Sequence, residues 1–500
     1  MLSLLQRTTA NLRAKSSPTS WSPEDDLSRG FSSTSKSFAL PLSSLSEFVF
    51  RAQGLYSQGT VVIRRAGAAT VGTEAPSYAE ASGEAGKDRQ VGTVEIAVEA
   101  RANSDGLYAE SKIEPVEAHE RAGLSISTPN SSSVGRIGAV LSFHITVTFP
   151  SDFTSLNSLT VDCTTFRLLF DPSLSSLLIS NLKLSTSDAP IVFSSVRAQA
   201  VTVLNQNRIN SNKTELKCFD DLVSGSLQAE RLEIDCADGK ISGSYDCSGA
   251  LIVGTTNANI HGEFSGSAVR VTASNGEVVG KFKAKKDVVI TNTYAKINVE
   301  VEAPLGCSIT GVNTPIDGKF KVGKELKLST THFRIDAFVR LLPPPPSAPA
   351  VDRAPSPTPS STTSLLPTFD EAIGSSSSSS SVPVLVRAET SGASIELEMV
   401  EQPEGVVVQS FARSSGGGTV RVTHPDTFEG SFSASTSLTH TALLSTPSTF
   451  PTASRKRLVH YDVEKRSEVA GTVRWDSTVE GGGRSRSVVE AEGLAEIRLM

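Results

Sequence analysis

The stretch LIVGTTNANIHGEFSGSAVRVTASNGEVVGKFKAKKDVVITNTYAKINVEV, residues 251–301, matches itself when slid by 18 or 19 residues. Extended to residues 214–339, the same comparison aligns seven turns. One column reads Leu216, Ile234, Val253, Val271, Ile290, Ile309, Leu328; a second reads Val223, Ile241, Ile260, Val278, Ile297, Ile316, Ile335. Two residues after the second column come Gly225, Gly243, Gly262, Gly280, Val299, Gly318 and Ala337. Two beyond that stand Leu227, Tyr245, Phe264, Phe282, Val301, Phe320 and Val339. Between the two apolar columns runs a polar one: Asp220, Asp238, Asn257, Asn275, Tyr294, Asn313, His332.

Each turn therefore alternates apolar and polar residues, bends at a polar corner, and alternates again, which describes two short strands with a period of two. A single such coil cannot bury its apolar face. Stacked about 4.8 Å apart, successive coils pair in parallel and align like columns into one narrow core. The predicted fold is all-β, a parallel β-solenoid with coils of 18–19 residues, accompanied by irregular β segments and a disordered Pro/Ser-rich linker. Asn and Asp suit the corners because they tolerate the left-handed conformation and bond their own backbone. The inward glycines are expected to let the two sheets approach closely, or to absorb a bulge.

Working outward, Leu182, Leu184, Ile191, Phe193, Val201 and Val203 continue the frame upstream, so the solenoid is assigned to 182–340. Alternation at Val94–Val98 and Phe143–Phe149 makes 37–181 an irregular β region, with a flexible stretch at 66–92, and 1–36 a disordered amino terminus. Residues 341–382 hold nine of the 25 prolines and a run of seven serines from Ser375 to Ser381, a composition that cannot build a core and reads as a disordered linker. Alternation resumes over 383–500, as further solenoid or a separate β domain, with a disordered insertion near 440–457.

The repeats LIVGTTNANIHGEF and VRVTASNGEVVGKF, the entry segment FHITVTFP at 143, GTVRVTHPDTFEGSF at 418 and GTVRWD at 471 resemble an uncharacterised fungal family of β-solenoid domains, itself similar to adhesin-like domains of bacteria. The resemblance covers most of 140–500. It implies a solenoid with adhesin-like binding and no catalytic residue.

Composition narrows the function. With 47 Lys and Arg against 53 Asp and Glu, the net charge is −6, and no basic half is present to follow a phosphate backbone; nucleic acid is not the expected partner. No apolar run reaches the length of a membrane-spanning helix. The five cysteines form no CxxC and read as reduced, packed thiols, which favours the cytoplasm; Cys218 and Cys236 fall in register on adjacent coils. Arg7, Arg13 and Lys15 without an acid in the first 23 residues also have the composition of a mitochondrial presequence, whereas Leu2–Leu5 is short for a secretory one. The seven histidines have no metal-ligand spacing, and no motif for a nucleotide or other cofactor occurs, so none is expected.

One catalytic arrangement emerges. Asp317 and Asp336 share an outward column one coil apart, about 5 Å between Cα atoms, and paired carboxylates can divide acid and nucleophile roles. Lys319 and Arg334 on the same face support the competing reading of a solvated charge cluster. Thr272, Thr291, Thr310 and Ser329 form an outward hydroxyl column, as expected of exposed strand residues. In the linker, Pro367 and Phe369 of LPTFDEAI form a weak match to proline-aromatic peptides. The leading expectation is a non-enzymatic scaffold that binds a protein or a glycan. A carbohydrate-active enzyme using Asp317 and Asp336 is the alternative, and self-association through exposed solenoid ends a third.

Overall fold

The computed structural model describes residues 32–41, 45–54, 56–67, 92–103, 105–118, 120–129, 140–187, 189–205, 223–343, 383–403, 406–437, 440–446, 457–475 and 485–500. Nearly all of them lie in strands. Each coil contributes one strand to a first sheet, turns a corner, contributes a second strand to a facing sheet, and turns again. Ala250–Thr255 and Asn259–Gly266 make one such coil; Ala268–Ala273 and Val278–Ala284 make the next.

The register is the one the repeat dictates. Val253 pairs with Val271 and Ile260 with Val278, and both columns run unbroken to Leu328 and Ile335. Every residue of these columns from 234 and 223 onward is buried; Leu216 lies outside the described residues. Each inward Val, Ile or Leu contributes about 1.5–3 kcal/mol on leaving water. Because neighbours in a column are nearly identical, the two sheets close on one continuous apolar core that runs the length of the rod.

The glycine column works differently from the expectation. Gly225, Gly243, Gly262 and Gly280 have φ between +117° and +154°. A Cβ on Gly262 would meet the carbonyl oxygen of Gly243 at 2.2 Å, and one on Gly280 that of Gly262 at 2.1 Å. The obstacle is the backbone of the preceding coil, not the facing sheet. Aromatic rings two residues on fill the core instead, with Tyr245, Phe264 and Phe282 stacked at centroid distances of 5.3 and 5.1 Å. Where the column reads Val299, the residue two on is Val301, and the Val299 side chain is itself buried.

The polar corners also depart from expectation. Of their described residues only Asn313 has a positive φ, +54°. Three others bond along the rod: Asn275 Nδ2 donates to Asn257 Oδ1 at 2.8 Å, and Asn257 Nδ2 to Asp238 Oδ1 at 2.7 Å. Just inside, fully buried Asn292 donates to the carbonyls of Gly276 and Ala295 at 2.9 and 2.7 Å, which ties two coils and their turn together.

Beyond the linker the stack continues. Val384–Thr390 pairs in parallel with Glu325–Thr330, and Ile395–Glu401 with Ile335–Leu341, so the chain resumes on the rung where it left. Residues 344–382, including Pro367 and Phe369, lie outside the described residues, as do residues 68–91 of the stretch assigned to 66–92. Two boundaries shift. The strand Ser32–Pro41 starts inside the segment read as disordered, because it pairs with Thr93–Ala102. Ala442–Ser445, inside the expected insertion, is a strand held by Ala495–Leu499.

Sequence order breaks at both ends. The last coil, Ser485–Ala491 and Ala495–Leu499, lies between the coil of Val408–Ser414 and Val420–His424 and the coil of Gly430–Thr436 and Ala442–Ser445. At the other end Glu47–Gln53 and Gln58–Arg65 lie between later strands, Arg121–Ser127 and Leu141–Phe149 on one side and Ser155–Cys163 and Thr165–Phe170 on the other. Antiparallel strands then cover the ends: Ser32–Pro41 with Thr93–Ala102, and Lys112–Ala118, at one; the hairpin Arg457–Lys465 with Glu468–Trp475 at the other. Pro115 and a register shift between Tyr461 and Val463 interrupt two of the outermost strands, which discourages further edge pairing.

Candidate functional site

Because the repeat fixes which side chains point outward, adjacent coils place like-numbered outward residues side by side. On the second sheet one outward column reads Asn298, Asp317, Asp336, Glu396, Arg421, Glu496. Asp317 and Asp336 are therefore direct neighbours, as the sequence indicated. Glu396 extends them to three stacked acids. Sequence reading missed it because the linker hides its register; the alternation Ile395, Leu397, Met399, aligned on Ile335, is the signal that recovers it.

These acids are not equivalent. Asp317 is largely shielded; its Oδ2 accepts from Lys296 Nζ at 2.9 Å and from Arg334 at 3.5 Å. The two cations reach it from the column two residues N-terminal, so Lys296 joins Arg334 in the charge cluster, while Lys319 lies in the next outward column beside Glu300. Burial pushes the Asp336 carboxyl above the usual carboxylate range, and the charges of Asp317 and Glu396 push it further, against the pull of Arg334. Glu396 is tied down at the other side by Arg421, at 3.2 Å. Arg421 also reaches Glu496 at 2.8 Å, and Glu496 takes Arg498 at 2.7 Å. Burial of Glu496 favours its neutral form, but the hydrogen bonds from Arg498 and Arg421 outweigh this and hold it below the usual range.

A cleft of about 540 Å³ opens beside Asp336 and Glu396, walled by Arg334, Ser394 and the Gly416–Gly418 turn. Chemically the arrangement offers one carboxylate held by two cations and, one coil away, a carboxyl raised above the usual range by burial and by its acidic neighbours. Among the described residues no group of three or more His, Cys, Asp or Glu is arranged to hold a metal ion.

Elsewhere on the outer faces, the hydroxyls of Thr272, Thr291, Thr310 and Ser329 stand in register. Cys163, Cys236, Cys247 and Cys307 are buried free thiols; Cys218 lies outside the described residues, so its pairing with Cys236 does not enter the described structure. Desolvation pushes the thiols of Cys163 and Cys236 up to about 12.

No family model matches the chain, and no curated protein matches it. A solved structure, a "putative cell adhesion protein" from Clostridium sporogenes ATCC 15579, aligns over 94% of this chain and 100% of that one, at 7% identity and a TM-score of 0.15. A superposition that poor carries no argument about function. What stands independently of any relative is an all-β, largely parallel solenoid.

Proposed function

We propose that this chain is a non-enzymatic, adhesin-like β-solenoid that presents its outer sheet faces to another macromolecule, a protein or a glycan. The observation behind this reading is the ordered outer face: Glu263, Lys281, Glu300 and Lys319 stand side by side on four adjacent coils with alternating sign. Parallel stacking of like residues would otherwise oppose like charges, so alternation keeps a long rod's surface flat and compensated. Such a surface suits recognition over many coils. The buried single thiols need no oxidising compartment, which supports a cytoplasmic location.

The adjacency of Asp317, held by Lys296, and Asp336, whose carboxyl burial raises, favours one second reading, a carbohydrate-active enzyme with Asp336 as proton donor and Asp317 as its carboxylate partner. Purified protein and the Asp317→Asn/Asp336→Asn variant, both shown to be folded, separate the two. Equal and negligible release of reducing ends from a polysaccharide panel supports the scaffold; release by the natural chain alone supports the enzyme. Mass rising with concentration in light scattering would make the solenoid ends, not the faces, the interaction surface.

A further inference from the structure

We propose that the corner where the second sheet turns back into the first, around Leu305, binds a linear anionic glycan. This deepens the scaffold reading and rests on it. The coil Val278–Ala284 to Asp287–Asn292 carries Lys281, Lys283, Lys285 and Lys286, and the coil two rungs on carries Lys319, Lys321, Lys324 and Lys327. Between them, the coil of Ile297–Ala303 and Gly306–Gly311 supplies Glu300 and Glu302. Lys283 and Lys321 flank Glu302 in one column, at 3.2 and 3.9 Å from its carboxylate, so one anion serves two ammonium groups.

At the corner itself compensation stops. Lys286, Leu305 and Lys324 directly precede the paired residues Asp287, Gly306 and Glu325, so they form the next column. Lys285, Lys286 and Lys324 are exposed, and among the described residues none of them has an ion pair, the neighbouring Glu325 being engaged by Lys327 and Asp287 being the one carboxylate beside Lys286. A chain with net charge −6 thus concentrates uncompensated cations on one ridge. Exposed charge of one sign raises the local concentration of an opposite-sign ligand.

Three features select a glycan among polyanions. The lysine rows stand two coils apart, about 10 Å at the strand spacing, which matches anions carried on every second sugar of a linear chain. Leu305, 38% exposed, and Pro304 lie between the rows and offer an apolar seat for the C–H face of a sugar ring. The strands Val278–Ala284, Ile297–Ala303 and Ile316–Val322 are each paired on both sides, so no free edge is present to take a peptide by strand addition. A cleft of about 640 Å³ continues along the same corner from Lys283 and Lys285 toward Gln228 and Arg197; its amides and hydroxyls suit sugar hydroxyls, and Glu230 and Asp246 in its wall confine the anionic groups to the lysine end.

The test uses the full chain on immobilised heparin and polygalacturonate, with dextran as the neutral control and poly-glutamate as competitor. Retention on one or both charged glycans at low salt is expected, with heparin alone indicating sulfate and both indicating anionic groups in general. Lys286→Gln/Lys324→Gln should weaken retention by about tenfold, while Lys286→Arg/Lys324→Arg and the distant Lys112→Gln/Lys183→Gln leave it close to unchanged. Equal retention of the Lys286→Gln/Lys324→Gln variant would overturn the site, and poly-glutamate competing as well as the glycan at equal charge would overturn the class of ligand. If neither charged glycan is retained, this inference fails while binding of a protein or neutral glycan by the faces stays testable.

Discussion

The ring of Phe320 folds back over Gly318, its Cζ 2.7 Å from where a Cβ on that glycine would stand. The Val299 carbonyl oxygen lies 2.7 Å from the same point, whereas at Gly243, Gly262 and Gly280 the nearest atoms are all backbone of the preceding coil; where the column reads Val299, the residue two on is the smaller Val301. Gly318→Val should therefore lower stability by about 1–3 kcal/mol through overpacking. Adding Phe320→Val should recover part of the loss, because it recreates the arrangement of Val299 and Val301. Urea unfolding of both singles and the double gives the coupling; additive losses would refute the pairing.

Asn292 is fully buried and satisfies two carbonyls on different turns. Asn292→Leu keeps the volume but strands both acceptors and the Thr293 N–H that donates to Asn292 Oδ1 at 2.8 Å, so a loss of roughly 2–4 kcal/mol is expected. The midpoint of urea unfolding reports it. A change below about 0.5 kcal/mol would show that the corner does not depend on this side chain.

Acid should act in opposite directions on two carboxyls of one column. Asp336 is raised in the fold, so its ionised form opposes folding at neutral pH, and that penalty is relieved as pH falls through its folded value. Glu496 is lowered, so its contribution is present above the unfolded value and is lost as pH falls through the folded one. Asp336→Asn is expected to stabilise at pH 7 and to be near neutral at low pH. Glu496→Gln should destabilise at pH 7 by roughly 1.5–3 kcal/mol, the scale of hydrogen bonds to charged groups, and less in acid. Denaturant titrations at both pH values check the signs.

The buried thiols make a chemical prediction. With Cys218 replaced by serine, the native chain at pH 8 should react with a thiol reagent far more slowly than the unfolded chain, because Cys163 and Cys236 titrate near 12 and the remaining two are shifted up by burial. Unfolding in guanidinium should release four equivalents, one for each buried cysteine. Rapid native labelling at any of these positions would contradict the packing of that coil.

Much of the fold was legible because a repeat reports its own register: Ile260 above Val278 follows from an offset of 18 residues without knowledge of any contact. The adjacency of Asp317 and Asp336 came from the same arithmetic. Three things were not legible. Glu396 lay behind a linker that resets the count, so only matching apolar residues on each side could place it. The roles of the glycines and corner asparagines depend on backbone torsion and on neighbours a whole coil away, which residue type alone does not specify. The displaced order of the end coils leaves no periodic trace, because any coil of this pattern can pair with any other. What distinguishes the last one is polar: Ser487 bonds His424 at 2.7 Å and Ser410 at 2.9 Å, and buried Ser485 accepts from the Val408 N–H at 3.1 Å.

That displaced last coil has a consequence for synthesis. A solenoid whose coils stack in sequence order can grow as the chain leaves the ribosome, each new turn templated by the one before. Here the rung between the coils of 408–424 and 430–445 is filled by residues 485–499, which are made after both. From residue 155 growth can proceed in order up to about residue 424, but the coil that follows has no neighbour to dock on until 485–499 have left the tunnel. The rod is therefore completed there by insertion and not by addition at a tip, and a nascent chain that has not yet released 485–499 carries an open rung between two finished sheets.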